Sequence, residues 1–380
     1  MSVRTRPGVA RLIRTPDAER KQGRAPTQIG DHNLRVTLEA IRRDGPLTRL
    51  ELGRRTGLTG PGITNILRRL ADDGLVTARK RVERGGGQPS TEFAINSDGA
   101  FSVGIRLREM EGEAVLLTLG GEVCERRSFD TTSDPVAAIE KVALSMTIAR
   151  GSSVRMLGVG VASEDPGAHD LGRLTETGLF SRVFFERDCV TALLAESTFG
   201  VGRVEGGIML IIVDQRVRAG FLFRGAPFGG VHNRAGSIGL MRTGADHVPL
   251  DSVAGLGAFW ERLSSTERSQ LAAGADIAIS PPIRNWVRDA AGHLVDAIVA
   301  TAGFLAPGAI LIGGDLPANI VEELIAQISV ERRNTAVRPV VTPWISPIRR
   351  TTFPGAGIAI GAALLPFFDQ LLPSPMSKIA

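Results

Sequence analysis

Four side chains inside the stretch "LTRLELGRRTGLTGPGITNILRRL" (47–70) are of the types that hydrogen-bond base edges and phosphate oxygens: Thr64, Asn65, Arg68 and Arg69. On a helix they share one side, and Ile63, Ile66, Leu67 and Leu70 form an apolar stripe on the other. Such a helix has one face to bury and one to offer to a partner. The polar face matches the chemistry of a major groove, which the N-terminal half of a recognition helix enters.

The flanking residues carry the signals needed to start, stop and aim that helix. Asp31 is expected to cap a first helix with Leu34, Leu38 and Ile41 at helical spacing, stopped by Gly45-Pro46. Thr48 caps a second, with Glu51 completing a capping box and Leu50 and Leu52 pointing inward. Gly57 supplies a sharp reversal, Thr59 and Gly60 open the third helix, and Pro61 falls in its first turn. Gly60 and Gly62 weaken that start by up to about 1 kcal/mol each, so this end is expected to order fully only on DNA. After Gly74-Leu75-Val76 the segment "RKRVERGGGQPSTEFAIN" reads as a hairpin. Arg79, Lys80, Arg81 and Arg84 would grip the backbone, and its tip from Arg84 to Gln88 would lie over phosphates or a minor groove. Residues 31–96 are therefore read as a winged helix-turn-helix; a purely structural helical hairpin is the alternative.

Charge supports the DNA reading. Residues 1–95 carry 19 Lys and Arg against 10 Asp and Glu, and the other 285 residues carry a net charge of −4. A basic segment attached to a slightly acidic body is the electrostatic footprint of nucleic-acid binding, although a solvated basic face would look the same. Residues 1–30, rich in Arg, are expected to be a disordered basic arm; a transit peptide is the competing reading, weakened by Asp17 and Glu19. No apolar run reaches the roughly 18 residues of a membrane span. Cys124 and Cys189 show neither metal spacing nor disulfide density, which points to a reducing, cytoplasmic compartment.

From about Ala100 the pattern turns to short apolar strands and longer helices. "FSVGIRL", "EAVLLTLGG" and "EVCERRSF" read as a strand meander, followed by a helix from about Pro135 to Arg150 and the buried strand "MLGVGVA". "GGIMLIIVDQRVRAGFLFRGAPFGG" reads as two more strands, and "AILIGG" as a strand turning into the helix "NIVEELIAQI". Two similar α/β halves are expected.

The winged helix, "GGGQPSTEFAIN", "ERDCVTALLAESTFG", "GAPFGGVHNRAGSIGLM", "APGAILIGG" and "GIAIGAALL" occur in an order that resembles the ROK family, which unites sugar-responsive bacterial repressors with sugar kinases. The resemblance implies an α/β chain: an N-terminal winged helix-turn-helix, then an actin-like, ribonuclease H-like body of the sugar-kinase type over residues 100–375, with lobes of about 100–200 and 201–375. It also implies a homodimer or homotetramer, and only the regulators of the family carry the winged helix.

The departures from the family pattern are as informative. Where family kinases place an Asp and a glycine pair for nucleotide phosphates, "GIRLREMEG" has Arg106 and Arg108-Glu109; the second phosphate turn is "VDQRVRAG", with Gln215-Arg216-Val217. The family's zinc site is a His and three Cys; matching positions here are Leu240, Arg242, Gly244 and Pro249. His247 beside Asp246 reads as a loop pair. The residues matching the family's sugar site are Arg187, Asp188, Ser237 and Asp251, with Leu240 at its histidine. Arg187 would favour a sugar acid or sugar phosphate, or would pair with Asp188 internally. Gly313-Gly314 matches the adenosine-side motif, or serves only a tight strand-to-helix turn.

The expectation is thus a DNA-binding transcriptional regulator, a repressor of carbohydrate-related genes on an inverted-repeat operator in double-stranded DNA. Its body would be catalytically inactive and use neither metal nor cofactor. The alternatives are a sugar kinase with an appended DNA-binding domain and a ligand-independent regulator whose body only dimerises.

Overall fold

A computed structural model describes residues 26–81, 90–151, 154–165, 171–180, 182–335 and 345–375. The chain divides into two compact units, residues 1–188 with 359–380, and residues 189–358. The division falls at 188 rather than near 200, and the C-terminal helix belongs to the first unit rather than the second.

The first unit opens with α1 (Pro26–Asp44), the short strand β1 (Leu47–Thr48), α2 (Arg49–Thr56), α3 (Gly60–Asp72), β2 (Val76–Arg81) and β3 (Ser90–Ile95), the strands pairing in the order β1-β3-β2. Leu34, Leu38 and Ile41 of α1, Leu52 of α2, and Ile63, Leu67 and Leu70 of α3 are buried, so the three apolar stripes share one small core. Asp31 is a correction: α1 begins at Pro26, so Asp31 lies inside the helix, 4.0 Å from Arg69. Proline opens a helix readily because it lacks an N–H that the first turn leaves unbonded. Leu50 is a second correction, 65% exposed against 0% for Leu52. Two residues apart on a helix is about 200° of rotation, so the pair cannot both face inward.

Five residues, 96–100, join this domain to a five-stranded sheet made of β4 (Phe101–Leu107), β5 (Glu111–Thr118), β6 (Val123–Asp130), β7 (Met156–Ser163) and β8 (Val183–Arg187), in the order β6-β5-β4-β7-β8. α4 (Pro135–Ile148) covers the sheet, its first turn capped by Asp134 accepting from the N–H groups of Val136 and Ala137, and α5 (Arg173–Glu176) adds one turn.

The second unit holds α6 (Asp188–Phe199), which opens at the boundary, and the strands β9 (Ile208–Val213), β10 (Val217–Phe223) and β11 (Ala226–Pro227). A small hairpin follows, β12 (Arg242–Thr243) with β13 (Val248–Pro249), then α7 (Leu250–Ala254), α8 (Leu256–Trp260), α9 (Ser265–Ala272) and α10 (Pro281–Leu305). β14 (Ala309–Gly314), α11 (Ala318–Thr335) and β15 (Ile348–Arg350) complete a sheet ordered β11-β10-β9-β14-β15. In each unit a three-strand antiparallel meander is continued by two parallel strands, the repetition expected of two similar halves. Trp286 of α10 anchors the second core: it packs on Phe259 with ring centroids 5.0 Å apart, and its indole N–H donates to the carbonyl of Val253 at 2.8 Å.

The last helix, α12 (Ile358–Gln370), returns to the first unit and lies directly on β4 and β7. Gly104 and Gly160 permit this approach: a Cβ at either would run into the carbonyl oxygen of Ala359 or Ala362. Ser102 donates its hydroxyl to the carbonyl of Ala363 at 2.5 Å, and the Gln370 amide donates to the carbonyl of Leu157 at 2.7 Å.

Candidate nucleic-acid interface

The turn that aims α3 is built locally. The Thr48 hydroxyl accepts from the backbone N–H of Glu51 (3.3 Å) and the Glu51 carboxylate accepts from that of Thr48 (2.7 Å), so the expected capping box is closed. Gly57, at φ 71°, ends α2 with its N–H on the carbonyl of Gly53. Thr59 occupies the N-cap position of α3 with extended backbone but makes no side-chain cap bond. Pro61 removes one of the two N–H groups a cap side chain uses, so the Thr59 hydroxyl is left exposed at the helix mouth.

Thr64, Asn65, Arg68 and Arg69 are all exposed on α3, opposite the buried Ile63, Ile66, Leu67 and Leu70. Two of them are partly committed. The Thr64 hydroxyl donates to the Gly60 carbonyl at 3.0 Å, and Arg68 donates to Asn65 Oδ1 at 2.8 Å. An Asn that grips adenine needs both its carbonyl and its amide. With Arg68 donating to one lone pair of that carbonyl, Asn65 braces the guanidinium, the group suited to the O6 and N7 of guanine.

In the hairpin, the Arg79 guanidinium pairs with Glu92 directly across on β3, Nε to Oε1 2.6 Å, so this candidate phosphate ligand already has an acidic partner. Lys80 is exposed, Arg81 pairs in register with Ser90, and Arg84 and Gln88 lie outside the described residues. α2 adds basic residues that the apolar spacing does not single out. Arg49, Arg54 and Arg55 are exposed there, with Arg49 over the ring of Phe93 at 5.7 Å and Arg55 paired with Asp44. Hydrogen bonding from Arg43, helped by Arg55, holds the Asp44 carboxyl below its ordinary range. The basic last turn "GRRT" was the available signal, since the first helix of the motif crosses the DNA backbone.

The effector candidates divide between the units. In the first, Arg187 is half-buried at the end of β8 and Asp188 buried at the start of α6, beside Glu186. Burial pushes the Glu186 carboxyl up, although its Oε1 accepts from the N–H of Arg187 at 2.8 Å. In the second, Ser237 and Leu240 are exposed on a short turn, and Asp251 opens α7 with Oδ1 accepting from the Val217 N–H at 2.6 Å. Asp214 accepts from the N–H of Gln215 at 2.8 Å and from Arg218 at 3.3 Å. A phosphate turn works through outward N–H groups, and two of those in "VDQRVRAG" are taken by the protein's own carboxylates.

The first kinase turn is closed as well. Arg106 is buried within β4, and Arg108 pairs with Glu111 at 3.2 Å across a tight hairpin. At the positions matching zinc ligands, Arg242 donates to the His247 carbonyl and Gly244 packs against the ring of His293. Among the described residues no group of three or more His, Cys, Asp or Glu is placed to hold a metal. Gly313 and Gly314 face Thr351 and the Val213 carbonyl too closely for a side chain, and the cleft beside them measures about 140 Å³. That is well under the roughly 300 Å³ at which ligand pockets begin.

Residues 31–77 match the winged helix-turn-helix DNA-binding family. A crystal structure described as a ROK family transcriptional regulator, homolog of E. coli MLC protein, is 19% identical, covers 92% of this chain and 99% of its own, and superposes with a TM-score of 0.67. The chain shares that protein's fold. The ROK fold is shared, without the N-terminal domain, by a ROK glucokinase from Streptomyces griseus solved with glucose and AMPPNP (15% identity, 70% of this chain and 98% of its own, TM-score 0.55). A ROK protein from Streptococcus pneumoniae TIGR4 solved with sucrose matches similarly (15%, 71% and 98%, TM-score 0.53). In sequence the chain is 26% identical over 364 residues to the uncharacterized protein y4fQ of Sinorhizobium fredii (strain NBRC 101917 / NGR234), covering 88% of this chain and 91% of that one. Among the described residues no helix is long and apolar enough to cross a membrane.

Proposed function

We propose that this protein is a sequence-specific transcriptional regulator of carbohydrate-related genes, a repressor that binds an inverted repeat in double-stranded DNA as a homodimer or as a tetramer built from such dimers. The observation that carries the reading is the outward polar face of α3, Thr64 to Arg69, on a helix held by a closed capping box and a left-handed Gly57 within a segment that matches a DNA-binding family. In this reading Arg68, braced by Asn65, reads guanine. Thr59, Gly60 and Thr64 line the groove entrance, and Arg69, Lys80, Arg81, Arg84, Gln88 and the α2 arginines hold phosphates. DNA as partner supports a cytoplasmic location.

The body serves as effector and dimerisation domain without phosphotransfer. The Gln215 and Val217 N–H groups, which would have to receive a nucleotide phosphate, are bonded to Asp214 and Asp251. An effector would be a sugar, a sugar acid or a sugar phosphate; the candidate contacts, each taken within its own unit, are Arg187 and Asp188 in the first and Ser237 and Asp251 in the second. Binding of the full chain to fluorescent genomic fragments tests the main reading. Saturable, salt-sensitive binding to a few fragments is expected, and uniform indifference to all of them at low salt sinks it. Thermal unfolding across sugars, sugar acids and sugar phosphates tests the effector. A true one at 100 times its Kd adds about 2.7 kcal/mol, and silence across all three classes favours a body that only dimerises.

The second reading is a sugar kinase with an appended DNA-binding domain. Its supporting observation is Asp188, buried at the start of α6 where the family resemblance puts a catalytic base. ADP release above background with any hexose or amino sugar would overturn the non-enzymatic reading.

A further inference from the structure

Arg35 lies on the face of α1 that leaves the DNA-binding domain, and its guanidinium reaches more than 330 residues along the chain. It donates to the carbonyl oxygens of Phe368 (3.0 Å), Asp369 (2.6 Å) and Leu372 (3.4 Å). These are carbonyls of the last turn of α12 and just past it, the groups a helix end leaves without partners and where its dipole is negative. A planar fork with several donors satisfies such a cluster in a way that a point charge does not.

What the fork grips is itself immobilised. α12 lies against the backbones of β4 and β7 at Gly104 and Gly160, and is bonded through Ser102 to Ala363 and through Gln370 to Leu157. Asp369 is also paired with Arg182. The domain has a second attachment in the linker. The Asn96 amide donates to the Gly74 carbonyl at 2.7 Å, its backbone N–H donates to Leu75 at 2.9 Å, and the Leu119 N–H donates to the carbonyls of Ser97 and Ala100. A covalent linker alone fixes where a domain sits and leaves it free to rotate. A second contact distant from the first removes the rotation.

We infer that Arg35 is a positioning residue that locks α3 to the body at a set angle and thereby sets the spacing between half-sites that a dimer accepts. This rests on the reading above of a dimer on an inverted repeat, because half-site spacing is a geometric consequence of how two recognition helices are held. Arg35 touches no base in this account; it acts through the orientation of α3.

The test is selection by the full-length protein from a randomised duplex library about three helical turns long. It is run with wild type, with Arg35→Met, which keeps the apolar stem and loses the donors, and with Arg35→Lys. Wild type is expected to enrich one half-site sequence at one spacing. Arg35→Met is expected to enrich the same half-site at several spacings, to keep its affinity for an isolated half-site within about twofold, and to bind the wild-type repeat at least about tenfold more weakly, as avidity is lost. Arg35→Lys falls between, and is read in its place if Arg35→Met lowers the melting temperature. Either variant selecting the same single spacing with unchanged affinity overturns the inference, as does loss of half-site binding in step with lost thermal stability, which would make Arg35 a fold-holding residue only. A wild type that enriches no half-site sinks the DNA reading itself and the Arg35 inference with it.

Discussion

On the outer face of α3, Thr64, Asn65, Arg68 and Arg69 stand exposed around a helix whose own needs are met by the stripe beneath it. In the turn between β9 and β10, equally short and polar, Asp214 takes the Gln215 N–H and Arg218, and Asp251 takes the Val217 N–H. The first region holds its polar groups at the surface, where, among the described residues, their only bonds are local to the helix or weak. In the other, the Gln215 and Val217 N–H groups are bonded inside the fold, although a protein of the same fold has been solved with glucose and AMPPNP. A shared backbone therefore says little about function; what decides is whether polar groups are left over once the fold is satisfied.

Breaking the first region should cost most. Arg68→Ala is expected to lose about 1 to 3 kcal/mol on the selected operator and far less on unrelated DNA, measured by anisotropy at fixed salt. An equal loss on all DNA moves Arg68 from base to phosphate. Asn65→Ala should weaken the same guanine position without a new preference at adenine.

Next is the second region. Asp251→Ala leaves the buried Val217 N–H unpaired and should destabilise the second unit by about 1 to 3 kcal/mol in urea unfolding. Asp251→Asn, which keeps a carbonyl acceptor, should recover most of it. An Asp251→Ala protein of unchanged stability that loses only an effector response would turn the comparison around and make Asp251 a ligand group.

Thr48→Ala opens the capping box and should cost about 1 kcal/mol, with a parallel loss of DNA affinity because α2 orients α3. The smallest effect concerns Glu186. Because burial raises its folded carboxyl above the unfolded value, the folded state retains a proton that the unfolded state releases, and stability should fall as pH rises through that window. Glu186→Gln keeps the bond to the Arg187 N–H and should flatten this slope when unfolding is followed across pH.

Much of the DNA-binding domain was legible because its determinants are local. The capping box spans three residues, the left-handed glycine is one residue, and the apolar stripes repeat every turn. The misplaced details were local as well, and came from reading residue type without geometry: Leu50 on the wrong face and Asp31 inside the helix; Thr59 does take the N-cap position, without a side-chain bond. Arg79 looked like a phosphate ligand until the hairpin register set Glu92 opposite it.

The order of strands and helices, the basic N-terminal quarter and the polar face of α3 follow from composition and periodicity, since each depends on neighbours within about a helical turn. That Asp251 caps Val217 across 34 residues, and that Arg35 closes on the end of α12, depends on which elements the topology brings side by side. Hydrogen bonds of that kind have no spacing rule: an arginine reads the same in a sequence whether it will meet a phosphate, a carboxylate or the bare end of a distant helix.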